Sequence, residues 1–251
     1  VKAEASNEKL AAQVEELKAA LGDQRASIKE RQSDLVRQIR DLKSELGTPD
    51  HRDIDPTVHN TAEAMDDFFS SDQEVSRYEE FALALKRRLE SDGITFDGKA
   101  IFDAGIGPGY ALAALLEGSD PRSISGLDYS QVGINNCFTL FPNGEFYVGS
   151  LYDPIPGTYE LVFCTEVLEH LEKPSVALQR ILEAVEPGGT AVLTVPNGRI
   201  DVSRLHVNFW SPESWKVFVT ENAPGFEISF GDFQVRETSR YRNNLAILRR
   251  L

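Results

Sequence analysis

Two glutamates and one histidine lie close together in the stretch FCTEVLEHLEKP, residues 163–174. Glu166, Glu169 and His170 are spaced i, i+3 and i+4, so a helix would place all three side chains on one face. Three interpretations are open: an ordinary first helical turn whose acids complement the helix dipole, a histidine base beside a substrate hydroxyl, or a divalent metal site.

A metal site would need a further ligand from elsewhere in the chain. His206, in RLHVNFWSPESW, supplies a second imidazole after another predicted strand. Carboxylates and imidazoles together can bind Mg²⁺, Mn²⁺ or Zn²⁺, so the metal interpretation comprises Glu166, Glu169, His170 and His206. Phe209 and Trp210 either stack against the apolar face of a sugar ring or anchor the next helix.

A glycine-rich turn follows an apolar run in IFDAGIGPGY, residues 101–110. Asp103 precedes Gly105, Gly107 and Gly109, and the third glycine comes one residue too early for a dinucleotide fingerprint. An acid beside the turn disfavours a pyrophosphate but suits a cofactor that carries a sulfonium and an ammonium group. Asp128 ends the next predicted strand, where a carboxylate can accept both hydroxyls of a ribose.

The elements that must position these residues alternate along the chain. From residue 99 apolar runs alternate with helical stretches, one of them predicted around residues 166–184, which predicts an α/β fold with a mainly parallel sheet and helices on both faces. Residues 49–96 contain a linker and short helices that we expect to cap the sheet domain at residues 97–251. Residues 1–48 are predicted to form a coiled-coil helix.

The coiled-coil prediction rests on apolar residues in a heptad pattern from Leu10 to Leu42. Such a helix favours a homo-oligomer or attachment to additional N-terminal domains.

Composition excludes some classes of partner. The 251 residues are 41% hydrophobic with a net charge of −14, and the charges of residues 1–48 balance, so the rest of the chain is acidic. Nucleic acid is therefore an unlikely partner. No apolar run is long enough to span a membrane, and two cysteines make no disulfide framework, which together suggest the cytoplasm.

The motifs in this order resemble those of the class I S-adenosylmethionine-dependent methyltransferases, especially the group whose fourth strand reads like EVLEHL and whose fifth follows a turn like VEPGG. The resemblance covers about residues 75–250. It implies a Rossmann-like sheet of seven strands with an antiparallel last hairpin. It also implies S-adenosylmethionine as cofactor, with S-adenosylhomocysteine as product. The residues assigned to the cofactor are Asp103, Gly105, Gly107, Gly109, Asp128, Tyr129, Ser150, Leu151 and Cys164.

The acceptor is harder to infer. The stretch around His206 to Trp210 resembles sugar and polysaccharide methyltransferases, which favours O-methylation of a sugar or glycan hydroxyl with His170 as base, aided by Glu166 and His206. One alternative is a metal-assisted enzyme that acts on a quinone, a phenolic small molecule or an RNA 3′ end. Another is a coiled-coil scaffold with a catalytically silent cofactor domain.

Overall fold

A computed structural model describes residues 60–70, 75–235 and 242–251. The predicted coiled coil at residues 1–48 and the linker up to residue 59 lie outside the described residues. Within the described part, no helix combines the length and apolar character needed to cross a bilayer.

Two helices precede an alternating series of strands and helices. The helices are α1 (Ala62–Ser70), α2 (Val75–Ser91), α3 (Tyr110–Leu115), α4 (Gln131–Leu140), α5 (Pro174–Glu183) and α6 (Pro212–Asn222). The strands are β1 (Ala100–Ala104), β2 (Ser123–Asp128), β3 (Glu145–Val148), β4 (Tyr159–Thr165), β5 (Val185–Pro196), β6 (Phe226–Phe233) and β7 (Asn243–Arg250).

The strands form a single seven-stranded sheet in the order β3-β2-β1-β4-β5-β7-β6. Strands β1 to β5 pair in parallel, whereas β7 lies antiparallel between β5 and β6. The order reverses between β1 and β4, which opens a crevice at their carboxyl ends. The predicted α/β architecture with an antiparallel last hairpin is therefore confirmed.

Alternating side chains of the central strands build two apolar cores, one on each face of the sheet. Phe102 and Val162 pack on one face, and their neighbours Ile101 and Phe163 pack on the other. Helix α2 covers the second face with its buried residues Ala82, Ala84, Leu85 and Leu89. The burial of both faces explains the nearly continuous apolar character of these strands.

The prediction of a helix around residues 166–184 is wrong at its start. Glu166 has a φ of 56°, outside the helical region, and its backbone N–H donates to Thr194 O of β5 at 3.0 Å. A short 3-10 turn, Leu168–His170, follows, and α5 begins only at Pro174. Cross-strand pairing at the end of β4 thus outweighs the local helix propensity, and Glu166 does not share a helical face with Glu169 and His170.

Candidate functional site

The glycine-rich turn lies at the carboxyl end of β1 and is tied to β2. The backbone N–H groups of Gly105 and Ile106 donate to Leu127 O at 2.8 and 3.1 Å. Gly105 has a φ of +83°, and a Cβ built on it would lie 2.5 Å from a methyl carbon of Val167. Only glycine satisfies both the backbone angle and this close approach.

Asp128 organises the turn from the end of β2. One carboxylate oxygen accepts from the Gly107 N–H at 2.8 Å, and the other accepts from the Ser130 N–H at 2.9 Å. Ser130 in turn caps α4, since its hydroxyl accepts from the Gly133 N–H at 3.0 Å. Asp128, the residue predicted to bind the ribose, is therefore in direct contact with the glycine-rich turn.

Asp103 is a buried acid beside the same turn. Its Oδ1 has no hydrogen-bond partner among the described residues, and a cavity of about 10 Å³ lies next to it. Burial, together with Asp128, raises the pKa of Asp103 to about 7. An unpaired buried carboxylate next to a second acid is a place where a positively charged group is stabilised, so the site fits a cofactor that carries a cation.

The other predicted cofactor residues occupy different environments. Tyr129 is half-buried, and burial and Asp128 raise the pKa of its phenol. The Ser150 hydroxyl accepts from the Tyr152 N–H at 3.1 Å inside a turn, and Leu151 is buried. Cys164 is fully buried in the apolar core of β4. Gly109 starts α3, where a Cβ would lie 3.0 Å from the sulfur of Cys137.

Helix α1 adds two residues to the cofactor end that the sequence motifs missed. A carboxylate oxygen of Asp66 accepts from the Ser130 hydroxyl and from the Val132 N–H, the latter at 3.0 Å. The ring of Phe69 lies over Gly107, at 3.2 Å from where a Cβ would stand. The only signal in the sequence was the expectation that short helices cap this end of the domain.

A second group of side chains lies after β4 and β5. Glu169 is 1% exposed, and neither carboxylate oxygen has a hydrogen-bond partner from another described residue. The Nε2 atom of His170 lies 3.9 Å from Oε1 of Glu169. One ligand atom each from Glu169, His170 and His206 falls within 4.8 Å of the other two, so the structure brings together three of the four predicted metal ligands.

Each imidazole in this group is held through Nδ1. His170 Nδ1 lies 3.1 Å from Leu205 O, and His206 Nδ1 lies 2.5 Å from Oδ2 of Asp201. The two rings are nearly perpendicular with centroids 4.6 Å apart. Burial, with a smaller effect of His206, lowers the pKa of His170 to about 4. His170 is therefore neutral at pH 7 and presents a free Nε2 lone pair.

Glu166 lies behind the three ligand candidates. Its Oε1 accepts from the Thr194 hydroxyl at 2.9 Å, and burial raises the pKa of Glu166 to about 7. Burial and the charge of Glu166 raise the pKa of Glu169 well above its ordinary value. The two acids thus disfavour each other's ionised form, as expected where a cation would compensate them.

Backbone hydrogen bonds join the two loops that carry the histidines. The N–H groups of Val207 and Asn208 donate to Glu169 O at 2.9 and 3.0 Å. The Asn60 side chain donates to both His170 O and Leu205 O, at 3.2 and 2.9 Å. Residues so far apart in the chain form no local sequence motif, so these contacts were not predicted.

Phe209 and Trp210 have separate roles. Trp210 is buried against Trp215 and Phe218, with ring centroids 5.5 and 4.9 Å away, and so anchors α6 in the core. Phe209 is 48% exposed, and its ring centroid lies 6.3 Å from that of His206. Of the pair, only Phe209 presents an apolar surface beside the histidines.

Comparison with known proteins identifies the family. A family model described as a methyltransferase domain matches residues 75–224, more than half of the chain. The chain belongs to this methyltransferase family. The match includes both acids of the glycine-rich site and the whole group around Glu169.

The curated relatives of this methyltransferase domain match over short stretches. The ubiquinone biosynthesis O-methyltransferase of Schizosaccharomyces pombe is 36% identical over 110 residues, which are 39% of this chain and 38% of that protein. The enzyme of the same name from Dechloromonas aromatica is 30% identical over 113 residues, 41% of this chain and 47% of that protein. The matched region thus spans less than half the length of either relative.

Among solved structures, magnesium protoporphyrin IX methyltransferase from Synechocystis PCC 6803, solved with S-adenosylmethionine bound, aligns with a TM-score of 0.55 and 17% identity. The alignment covers 80% of this chain and all of that one. The fold is therefore that of the class I S-adenosylmethionine-dependent methyltransferases. S-adenosylmethionine, whose sulfonium and ammonium groups are cationic, fits the acidic crevice formed by Asp103 and Asp128.

Proposed function

We propose that this methyltransferase domain transfers the methyl group of S-adenosylmethionine to a hydroxyl on a phenolic or quinone-related ring, with a divalent metal held by Glu169, His170 and His206. The observation that carries the proposal is the buried carboxylate of Glu169, which lacks a hydrogen-bond partner among the described residues and lies beside two imidazoles. A carboxylate buried in this way is costly unless a cation compensates it.

The donor set fits a divalent metal. Two imidazoles and one carboxylate are ligands that Mg²⁺, Mn²⁺ and Zn²⁺ accept, and Nδ1 of each histidine is already engaged, so that Nε2 remains available. Glu166 is not one of the three ligands but supports them, and it is held in place by the hydrogen bond that it accepts from the Thr194 hydroxyl. When bound, the metal would act as a Lewis acid that favours ionisation of an acceptor hydroxyl.

The protein groups favour an acidic hydroxyl as the acceptor. As a metal ligand through Nε2, His170 would have no lone pair left to act as a base, because its Nδ1 is engaged with Leu205 O. A phenol, with an ordinary pKa near 10, ionises far more readily than a sugar hydroxyl and so depends less on a protein base. The exposed ring of Phe209 offers a planar acceptor an apolar contact next to His206.

The names of the relatives support the same class of acceptor. Both proteins described above are called ubiquinone biosynthesis O-methyltransferases. They favour the quinone alternative over the sugar or glycan hydroxyl suggested by the residues around His206. The remaining catalytic contribution is alignment, because holding the sulfonium methyl in line with an acceptor oxygen supplies on the order of 7 kcal/mol or more.

Methyl transfer to a defined panel of acceptors tests the proposal. The purified protein would be incubated with labelled S-adenosylmethionine and catechols, hydroquinones, glycans or RNA, each with EDTA and with Mg²⁺, Mn²⁺ or Zn²⁺ restored. We expect label in a phenolic acceptor, loss of transfer with EDTA, and recovery with one metal. Transfer to glycan that survives EDTA would instead support a metal-free sugar enzyme with His170 as base.

A matched variant separates the metal from the cofactor. Glu169→Gln keeps the shape of the side chain but removes its charge. It should abolish metal-dependent transfer while the affinity for S-adenosylmethionine stays unchanged. Equal losses of both would contradict the assignment of Glu169 to a separate site.

A further inference from the structure

The loop between β5 and α6 contains one acid that none of the sequence motifs singled out. Asp201 is the only Asp or Glu between Pro196 and Phe209. Its Oδ2 lies 2.5 Å from Nδ1 of His206, and the two side chains are only 10% and 13% exposed. A hydrogen bond between two largely buried side chains restricts the orientation of the imidazole.

Both oxygens of Asp201 have a defined partner. Oδ1 accepts from the Ser203 N–H at 3.0 Å within the loop, while Oδ2 faces His206. A carboxylate can only accept, so Nδ1 of His206 must carry a proton. Its Nε2 is then the nitrogen with a free lone pair.

We propose that Asp201 is a positioning residue that holds His206 as the Nδ1–H tautomer and thereby makes Nε2 a ligand for the metal site beside Glu169. The part of this inference that concerns metal binding by His206 rests on the proposed metal-dependent function. The assignment of the tautomer does not. His170 reaches the same tautomer by a different route, since its Nδ1 donates to the carbonyl of Leu205. In both imidazoles Nε2 is then the nitrogen left free to bind a metal.

The geometry suggests a substitution that tests the tautomer of His206 directly. In Asp201→Asn the amide oxygen can still accept from the Ser203 N–H, so the loop turn is retained. The amide NH₂ then faces His206 and can only donate, which forces Nδ1 to become the acceptor and moves the ring proton to Nε2. An Asp-to-Asn change of this kind preserves geometry but reverses the tautomer in the serine-protease triad.

The primary measurement is ¹⁵N NMR of the histidine side chains at pH 8, which reports which ring nitrogen carries a proton. His206→Ala assigns the His206 signals among those of the four histidines. We expect Nδ1–H in the unchanged protein and Nε2–H in Asp201→Asn. Finding Nε2–H in the unchanged protein, or no change in the variant, overturns the proposal.

A second readout is Mn²⁺ affinity, followed by electron paramagnetic resonance without substrate. Loss of a residue that orients a metal-binding histidine typically costs 10- to 100-fold in affinity, and we expect that range for Asp201→Asn. Asp120→Asn removes an exposed acid outside this loop and should leave the affinity unchanged. Unchanged affinity in Asp201→Asn would overturn the role at the metal site.

The two readouts distinguish failure of this inference from failure of the proposed function. If the unchanged protein binds no Mn²⁺ but shows the expected tautomer switch, Asp201 still positions His206 and the metal function fails. If Mn²⁺ binds with equal affinity to both proteins and the tautomer does not switch, the metal function stands and the role of Asp201 fails.

Discussion

Nε2 of His170 lies 3.9 Å from Oε1 of Glu169, a buried carboxylate that no other described side chain satisfies. Burial raises the pKa of Glu169 well above its ordinary value, so the charged form of this acid is disfavoured while no cation is bound. Both of its carboxyl oxygens lack a hydrogen-bond partner among the described residues, and a divalent cation would engage Glu169 and His170 as ligands.

Glu169→Gln should leave the metal-free protein about as stable as before, within about 1 kcal/mol, because glutamine has the same shape and burial already disfavours the charged form of Glu169. The stabilisation by metal should disappear. Thermal unfolding with and without 1 mM Mn²⁺ measures both quantities, since a ligand that binds only the folded state raises the melting temperature. A variant that Mn²⁺ still stabilises as strongly as the unchanged protein would contradict the site.

The raised pKa of Asp103 predicts how the free energy of unfolding depends on pH. Its pKa is raised from 3.8 to about 7 by burial and Asp128, so the folded, ligand-free protein binds this proton more tightly than the unfolded chain does. The resulting stability is fully present below about pH 4 and is lost as the pH rises to about 7, a change of about 4 kcal/mol. Urea unfolding at pH 5 and pH 7.5 should show a smaller drop for Asp103→Asn, and equal drops would contradict the assignment.

The same acid predicts the pH dependence of cofactor binding. The ionised form of Asp103 pairs with a cationic cofactor, so the affinity for S-adenosylmethionine should rise by up to about tenfold per pH unit below 7 and level off above it. Calorimetric titration between pH 5.5 and 8.5 measures this profile. In Asp103→Asn the profile should be flat, and an unchanged slope there would assign the titration to another group.

Asp128→Ala should weaken cofactor binding at least tenfold. The substitution removes two hydrogen bonds that order the turn, from Gly107 and Ser130, and hydrogen bonds to charged groups contribute about 1.5–3 kcal/mol each. Asp128→Asn keeps one acceptor oxygen and should show an intermediate loss by the same titration. A smaller effect for alanine than for asparagine would contradict this role.

Phe209 and Trp210 form a matched pair for acceptor binding. Phe209→Ala should raise KM for a planar acceptor severalfold and leave the free energy of unfolding nearly unchanged, because the ring is half exposed. Trp210→Ala should instead cost about 3–5 kcal/mol of stability, as expected for a buried aromatic residue. Steady-state kinetics and urea unfolding of both variants separate the two roles, and a large loss of stability in Phe209→Ala would contradict them.

The parts of the site that depend on neighbouring residues in the chain were predictable from the sequence. Asp103 and the glycines follow a strand and begin a turn, and Asp128 ends the next strand, so their order alone placed them at one edge of the sheet. The grouping of Glu169, His170 and His206 followed from the adjacency of β4 and β5.

The start of α5 was mispredicted because Glu166 is held by a distant strand. The residues around Glu166 favour a helix. The hydrogen bond from its backbone N–H to Thr194 of β5 instead continues the pairing of the two strands, and the chain turns at Glu166 with a φ of 56°. Asp66, Asn60 and Asp201 were missed for a related reason. Asp66 and Asn60 reach partners 64 or more residues away, and the contact of Asp201 depends on the path of an irregular loop.

The side chain of Asn60 has a consequence for where the working unit of this enzyme begins. The family match starts at residue 75, yet Asn60 bridges the two histidine loops, Asp66 accepts hydrogen bonds from the start of α4, and Phe69 lies over Gly107 of the glycine turn. A fragment that begins at residue 75 would keep every motif residue but would lose the contacts that Asn60, Asp66 and Phe69 make on both sides of the crevice. The minimal catalytic fragment therefore begins before the family match, at residue 60 or earlier.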